Sequence, residues 1–293
     1  LVISMAFGFT GLPRKAQTVT AVVAEVVSNA KTVNLQINGE ISGITDPNAP
    51  VDTEAWSGSK VYFGKYGNNP VLFRVLDANT TDYSADGTTK TMLVGSDALF
   101  QARAFNASGS DNTWANSDIK VWMQGDGDGQ FLRQFSATEK DAIFASNKTA
   151  PSNTDGALMG GGTFAPLVND TVFALDVAEV GNTSYGYSYN TGIAVTNRIM
   201  NLDGAPSVWW TRSLLNNVNG NYVSIVYLNG KLTNTTAWNT TRYGVNPAMN
   251  LDLSSILYAS AVGTTQTAEL GEVGSDLVVN NEWKLTLLDN SKF

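Results

Sequence analysis

Ser-Val-Trp-Trp-Thr-Arg-Ser, residues 207–213, and Tyr-Gly-Val-Asn-Pro-Ala-Met-Asn-Leu, residues 243–251, bracket the stretch that decides the reading of this chain. Both ends are apolar and β-branched, as buried strands are, while the intervening residues are dominated by Asn, Thr, Tyr and Gly. On a strand Trp209 and Trp210 point to opposite faces, and at least one belongs in the core because an indole buries so much apolar surface. Arg212 follows at once, in a dense apolar strand. That placement predicts a structural guanidinium, held on an indole face or by a buried carboxylate, and not a ligand contact. Residues 221–228 read as another strand, and Asn229-Gly230 supplies a two-residue hairpin turn because both residues tolerate positive φ. Pro247 cannot donate to a ladder, so the closing strand is expected at an edge or a bulge.

Working outward, Lys60–Tyr66 is a predicted strand, residues 67–70 a turn, Val71–Leu76 the returning strand and Thr91–Gly95 a third. Residues 114–125 hold a helix capped by Asn116 or Ser117, with Ile119, Trp122 and Met123 on one face. Ser-Ala-Thr-Glu, residues 136–139, is a capping box opening a second short helix. Thr171–Leu175 reads as a strand, with a helical turn from Asp176 through Val180 whose Asp176 and Glu179 are expected to be solvated. Lys31–Ile37 alternates as a half-buried strand does. Residues 46–50, Asp-Pro-Asn-Ala-Pro, mark a boundary.

The 293 residues carry 18 Lys plus Arg against 26 Asp plus Glu, a formal charge of −8, and no cysteine or histidine. Without those two residue types there is no Ser-His-Asp triad, no Cys-His dyad, no Cys/His zinc site and no disulfide. Without a basic stripe there is no nucleic-acid footprint. No run reaches the ~20 apolar residues that span a bilayer. Residues 1–10 resemble the apolar region of a signal peptide, which suits a secreted or surface-displayed bacterial protein. The Asp126/Asp128 run fails the EF-hand template, because Phe131 and Ala137 stand where Gly and Glu are needed. That leaves a solvated turn or a non-standard calcium site, and no metal or cofactor is assigned.

Certain motifs carry a resemblance over about two-thirds of the chain. They are Tyr62-Phe63-Gly64-Lys65-Tyr66, Phe73-Arg74-Val75-Leu76, Trp114, Asn116-Ser117-Asp118 before Trp122, Phe131-Leu132 and Phe135 ahead of Glu139, Val172–Leu175, the Trp-Trp-Thr-Arg-Ser strand, and Gly244-Val245-Asn246-Pro247-Ala248. Together they resemble an uncharacterised domain family of surface proteins from Gram-positive gut bacteria. Asn246 stands where that family has Arg, so any role of that Arg does not transfer. The two bracketing strands are also similar to those of C-type-lectin-like domains and the formylglycine-generating-enzyme group. The resemblance implies an α+β fold: a C-type-lectin-like mixed domain of mainly antiparallel strands, two or three short helices and long loops. The enzymatic branch depends on cysteines and is therefore not implied.

The expected organisation is a signal-peptide remnant at 1–20, an N-terminal segment and linker at 21–51, the lectin-like domain at 52–262, and at 263–293 a linker with the first strand of a following domain, the alternative being that the strand at 282–289 returns to the main sheet. The functional expectation is a non-catalytic adhesion module binding a glycan or a protein. Asn217, Asn219, Tyr222, Asn234, Trp238, Asn239 and Tyr243 form the candidate site, since amides beside flat aromatic rings suit such ligands. The alternatives are a structural spacer and a receptor diversified by retroelement-directed mutagenesis. A two-carboxylate hydrolase ranks last, because no Asp/Glu pair sits in a cleft-like context.

Overall fold

In this computed structural model the structure describes residues 32–37, 40–45, 59–107, 112–151, 162–189, 196–215, 222–236, 241–261 and 282–288. The strands are β1 (Thr32–Ile37), β2 (Glu40–Thr45), β3 (Lys60–Tyr66), β4 (Asn69–Thr80), β5 (Thr91–Ser96), β6 (Phe100–Arg103), β7 (Ile143–Phe144), β8 (Ser146–Lys148), β9 (Gly162–Thr163) and β10 (Leu167–Asp170). They continue with β11 (Val172–Ala174), β12 (Met200–Leu202), β13 (Ala205–Ser207), β14 (Trp209–Leu215), β15 (Tyr222–Val226), β16 (Leu232–Thr236), β17 (Tyr243–Val245), β18 (Pro247–Asp252), β19 (Ile256–Ala261) and β20 (Glu282–Leu287). The α-helices among the described residues are α1 (Asp118–Gln124) and α2 (Ala137–Asp141).

This is a mainly-β fold, not the α+β one expected. Among the described residues there are twenty strands and two α-helices, of seven and five residues, so helices cannot form a layer of their own. The expected first helix is a single 3-10 turn at Trp114–Asn116 followed by α1, and the second is five residues long. Meanwhile segments to which the sequence assigns no element, such as β8, β10 and β12, are short paired strands. Two- to four-residue strands are too short for side-chain alternation to announce them, and the pairing partner decides their conformation.

Ten strands make a mixed sheet in the order β11-β18-β5-β4-β3-β20-β19-β1-β2, with β7 also on β18. Six make a second sheet, β16-β15-β14-β17-β6, with β9 also on β14. The pairings β20–β3 and β14–β17 are parallel. Of the two expectations for the last strand, a return to the main sheet and the opening of a following domain, the first holds: Glu282–Leu287 lies between β3 and β19 in the large sheet. Pro247 is neither at an edge strand nor in a bulge. It is the first residue of β18, an interior strand, where a missing N–H is tolerated.

One continuous core joins the two sheets and α1. It includes Phe73, Val94 and Met249 from the large sheet, Trp209, Trp210 and Val245 from the small one, and Ile119, Trp122 and Met123 from the helix. Ser117 caps α1 by accepting from Lys120 N, and Ser136 with Glu139 closes the capping box of α2. Gly64 shows why the Tyr-Phe-Gly-Lys-Tyr motif needs its glycine. Its φ is +67°, and a Cβ there would sit 2.2 Å from the Phe135 ring.

Candidate functional site

Both indoles of the bracketing strand are fully buried, one on each face of β14. Trp209 Nε1 donates to Arg198 O at 3.1 Å and Trp210 Nε1 to Arg103 O at 2.8 Å. Arg212 is 0% exposed, and its fork meets Glu179 in a bidentate pair, Nη1 to Oε2 at 2.6 Å and Nη2 to Oε1 at 2.7 Å. Nε and Nη1 also donate to Ala165 O and Ala174 O, both at 2.8 Å, and the guanidinium lies over the Phe164 and Phe173 rings. The partner is thus the buried carboxylate, and the stacking rings are phenylalanines in place of indoles.

Asp176 and Glu179, expected on a solvated turn, are the deepest carboxylates of this region. The turn itself forms, with Val180 N donating to Asp176 O. However, Val177, Ala178 and Val180 are buried as well, so the turn has no solvent face. That interleaving of carboxylates with apolar residues on every side was the sequence signal for burial. Glu179 also accepts from Tyr83 Oη at 2.6 Å and from Asp176 N at 2.7 Å. Asp176 accepts from Ser213 Oγ at 2.6 Å, Ala178 N at 2.9 Å and Ala165 N at 3.0 Å. Burial pushes the Asp176 carboxyl up despite the opposing Arg212 charge, and with Glu179 beside it lifts the Tyr83 phenol well above its usual range. Burial works against the Arg212 charge, yet the Glu179 carboxylate outweighs it and holds the guanidinium more firmly protonated. Every group here is satisfied from within the protein.

The seven candidate binding residues separate. Asn217, Asn219, Trp238 and Asn239 lie outside the described residues. Tyr222 and Asn234 come together on adjacent strands, with Tyr222 opposite Thr236 and Asn234 opposite Ser224 in the β15–β16 register, and both are exposed. Side chains two apart on a strand share a face, so the two belong to one surface. Tyr243 is elsewhere. It lies beside the Trp209 end of β14, with Gly244 opposite Trp209, whereas Tyr222 lies beyond Leu214 at the other end, ~20 Å away along a seven-residue strand. There its ring packs against Trp210, centroids 4.8 Å apart, and it pairs with Arg103 of β6.

Beside Tyr243 opens a cleft of about 530 Å³ that sequence reading missed, lined among others by Gln101, Arg103, Asp118, Trp122, Gln130 and Arg242. Gln101 and Arg103 alternate on β6 and therefore face the same side. Arg103 donates to Gln101 Oε1 at 2.8 Å and lies over the Trp122 ring at 5.1 Å, and Gln101 in turn donates to Tyr66 Oη. Burial, aided by the nearby Arg242 charge, lowers the Arg103 pKa, with Tyr66 and Asp118 opposing. Its residues come from β6, α1, the turn after it and the residue preceding β17, so no local spacing announces the site. The Asp126/Asp128 turn borders it, with Asp126 paired to Lys140 and Asp128 to Arg133. A second hollow of about 600 Å³ lies against β3 and β20, lined by Tyr62, Phe63, Pro70, Leu285 and Leu287 with Lys65 and Lys284.

A mainly-β domain with a buried Arg-carboxylate node and a polar cleft lined by two arginines and two aspartates is the class that these features define. Residues 89–253, more than half of the chain, match the family described as Domain of unknown function (DUF6273), and the chain belongs to that family. The matched span contains Asp176, Glu179 and Arg212 of the node, the cleft and the Tyr222–Asn234 surface, with Tyr83 just before it. Comparison with curated proteins and with solved structures returned no match.

Proposed function

We propose that this domain is a non-catalytic recognition module displayed on a Gram-positive bacterial surface, binding a glycan or a protein through the Tyr222 end of its six-stranded sheet. The observation that carries the reading is the placement of exposed Tyr222 and exposed Asn234 as diagonal neighbours on one face of β15 and β16. In sequence, residues 216–221, between β14 and β15, add four asparagines directly before Tyr222. A phenol ring beside an amide offers a flat apolar face next to paired donors and acceptors, the chemistry of adaptable recognition surfaces. The buried carboxylates speak against hydrolysis at the node, because Asp176 and Glu179 are wholly engaged and closed to water.

The test is capture from immobilised glycans and extracellular proteins by the parent domain, by Tyr222→Ala and by Asn234→Ala, with melting curves alongside. We expect a ligand held by the parent and lost by both variants at unchanged melting temperature. Equal capture by all three, turnover of a captured ligand, or no capture at all overturns the reading.

A further inference from the structure

We propose that the cleft between β6, α1 and Arg242 is a binding site for a carboxylate-bearing sugar residue, separate from the Tyr222 surface and independent of the function assigned to it. The hollow holds two arginines, Arg103 and Arg242, beside two aspartates, Asp118 and Asp128, and neither arginine makes an ion pair among the described residues. Arg103 is held in place by the Trp122 face and by Gln101, which leaves Nε and Nη2 of its fork available. Arg242 is exposed and makes no hydrogen bond within the described residues. Two like charges brought together over partly buried surface repel each other, and an anion placed between them removes that repulsion. A planar carboxylate matches the guanidinium fork with two parallel hydrogen bonds.

The remaining lining sets the rest of the ligand. Gln130, whose Oε1 accepts from Gly127 N at 2.7 Å, presents its NH₂ as a donor. Asp118 spends one oxygen on Ala107 N at 2.7 Å and Asp128 one on Arg133 Nε at 3.0 Å, so each retains an acceptor oxygen. Those carboxylates repel a polyanion such as a phosphate chain or an acidic peptide, but they accept hydrogen bonds from hydroxyl groups. One negative charge surrounded by hydroxyls is the composition of an acidic monosaccharide, and about 530 Å³ accommodates one such ring with its neighbour.

NMR titration of the whole chain tests this with galacturonic acid and N-acetylneuraminic acid, against galactose as the neutral control and tripolyphosphate as the polyanion. Expected are shifts for at least one of the two acids, confined to the cleft residues. Galactose should bind at least ~10-fold more weakly, and affinity should fall as salt rises. Arg242→Gln should weaken the acid about tenfold and Arg242→Glu abolish it, with the melting temperature kept, since Arg242 is exposed. Tyr222→Ala should leave the affinity unchanged, which separates this site from the other surface. No binding of either acid, equal affinity for galactose, tighter binding of tripolyphosphate, or undiminished binding by Arg242→Gln each overturns the proposal.

Discussion

Arg212 and Arg242 place the same guanidinium in opposite surroundings. Arg212 is fully buried, forked onto Glu179, bonded to two carbonyls and covered by two phenylalanine rings. Arg242 stands exposed beside a second arginine with no protein partner among the described residues. In the first case the protein itself supplies every counter-group, so the charge fixes the fold and is closed to any ligand. In the second the hydrogen-bonding capacity is left over, and left-over capacity at a hollow is what a ligand can use. An arginine in a Trp-Trp-Thr-Arg-Ser strand looks from sequence like the more interesting of the two, and it is the one with nothing to offer a ligand.

Breaking the buried side should have the largest effect. Glu179→Ala leaves Arg212 charged, buried and unpaired, and should cost about 3–5 kcal/mol in chemical denaturation. A loss below about 1 kcal/mol would mean that water enters and the node is less closed than its burial indicates. Arg212→Lys should cost less, about 2–3 kcal/mol, because an ammonium keeps the charge but cannot reach the Glu179 fork and both carbonyls together. Melting like the parent would remove the distinction between the two arginines.

Tyr83 gives the comparison a pH axis. Its phenol is raised well above 10.0 by burial and by Glu179, so below pH 10 the folded and unfolded chains both carry the proton. As pH rises past that point the unfolded chain ionises first and the folded state binds more protons, so stability falls with increasing pH. Tyr83→Phe should flatten this alkaline loss, at the expense of about 1 kcal/mol at neutral pH for the hydrogen bond to Glu179. An unchanged alkaline slope would remove Tyr83 from the node's electrostatics. The smallest effect belongs to the cleft: Arg242→Gln should stay within about ±0.5 kcal/mol of the parent, and a larger loss would mean that it is structural after all.

Much of the strand framework was legible. Lys60–Tyr66 and the β4 and β5 runs carry enough β-branched and aromatic residues to identify themselves, and the Ser136/Glu139 capping box is a local grammar that forms as written. The structural role of Arg212 was also readable, because a charge inside an apolar strand needs a buried partner. Its partner was not, since Asp176 and Glu179 look like a polar turn until the burial of Val177, Ala178 and Val180 removes the solvent face. The α+β reading failed because a resemblance at two strands says little about the many two- to four-residue strands elsewhere. The cleft was invisible because Arg103 and Arg242 meet only through the β6–β17 pairing, and the candidate Tyr243 proved to be its neighbour instead of a member of the Tyr222 surface.

The position of β20 has a consequence for how the chain acquires its shape during synthesis. Glu282 lies opposite Lys60, and the order β3-β20-β19-β1-β2 makes β20 the sole bridge, among the described strands, between the β3 half of the large sheet and the β19 half. The hairpin of β3 and β4 can form as soon as it leaves the ribosome, since its contacts are local. The β3 flank, by contrast, must wait for more than two hundred further residues before its parallel neighbour exists. Non-local parallel pairing is slow to close, and an unpaired strand flank is adhesive while it waits. The exposed Lys65 ammonium on that waiting strand carries a charge of the kind by which strand edges resist joining one another, whereas Lys60 is paired with Asp97 at 2.8 Å.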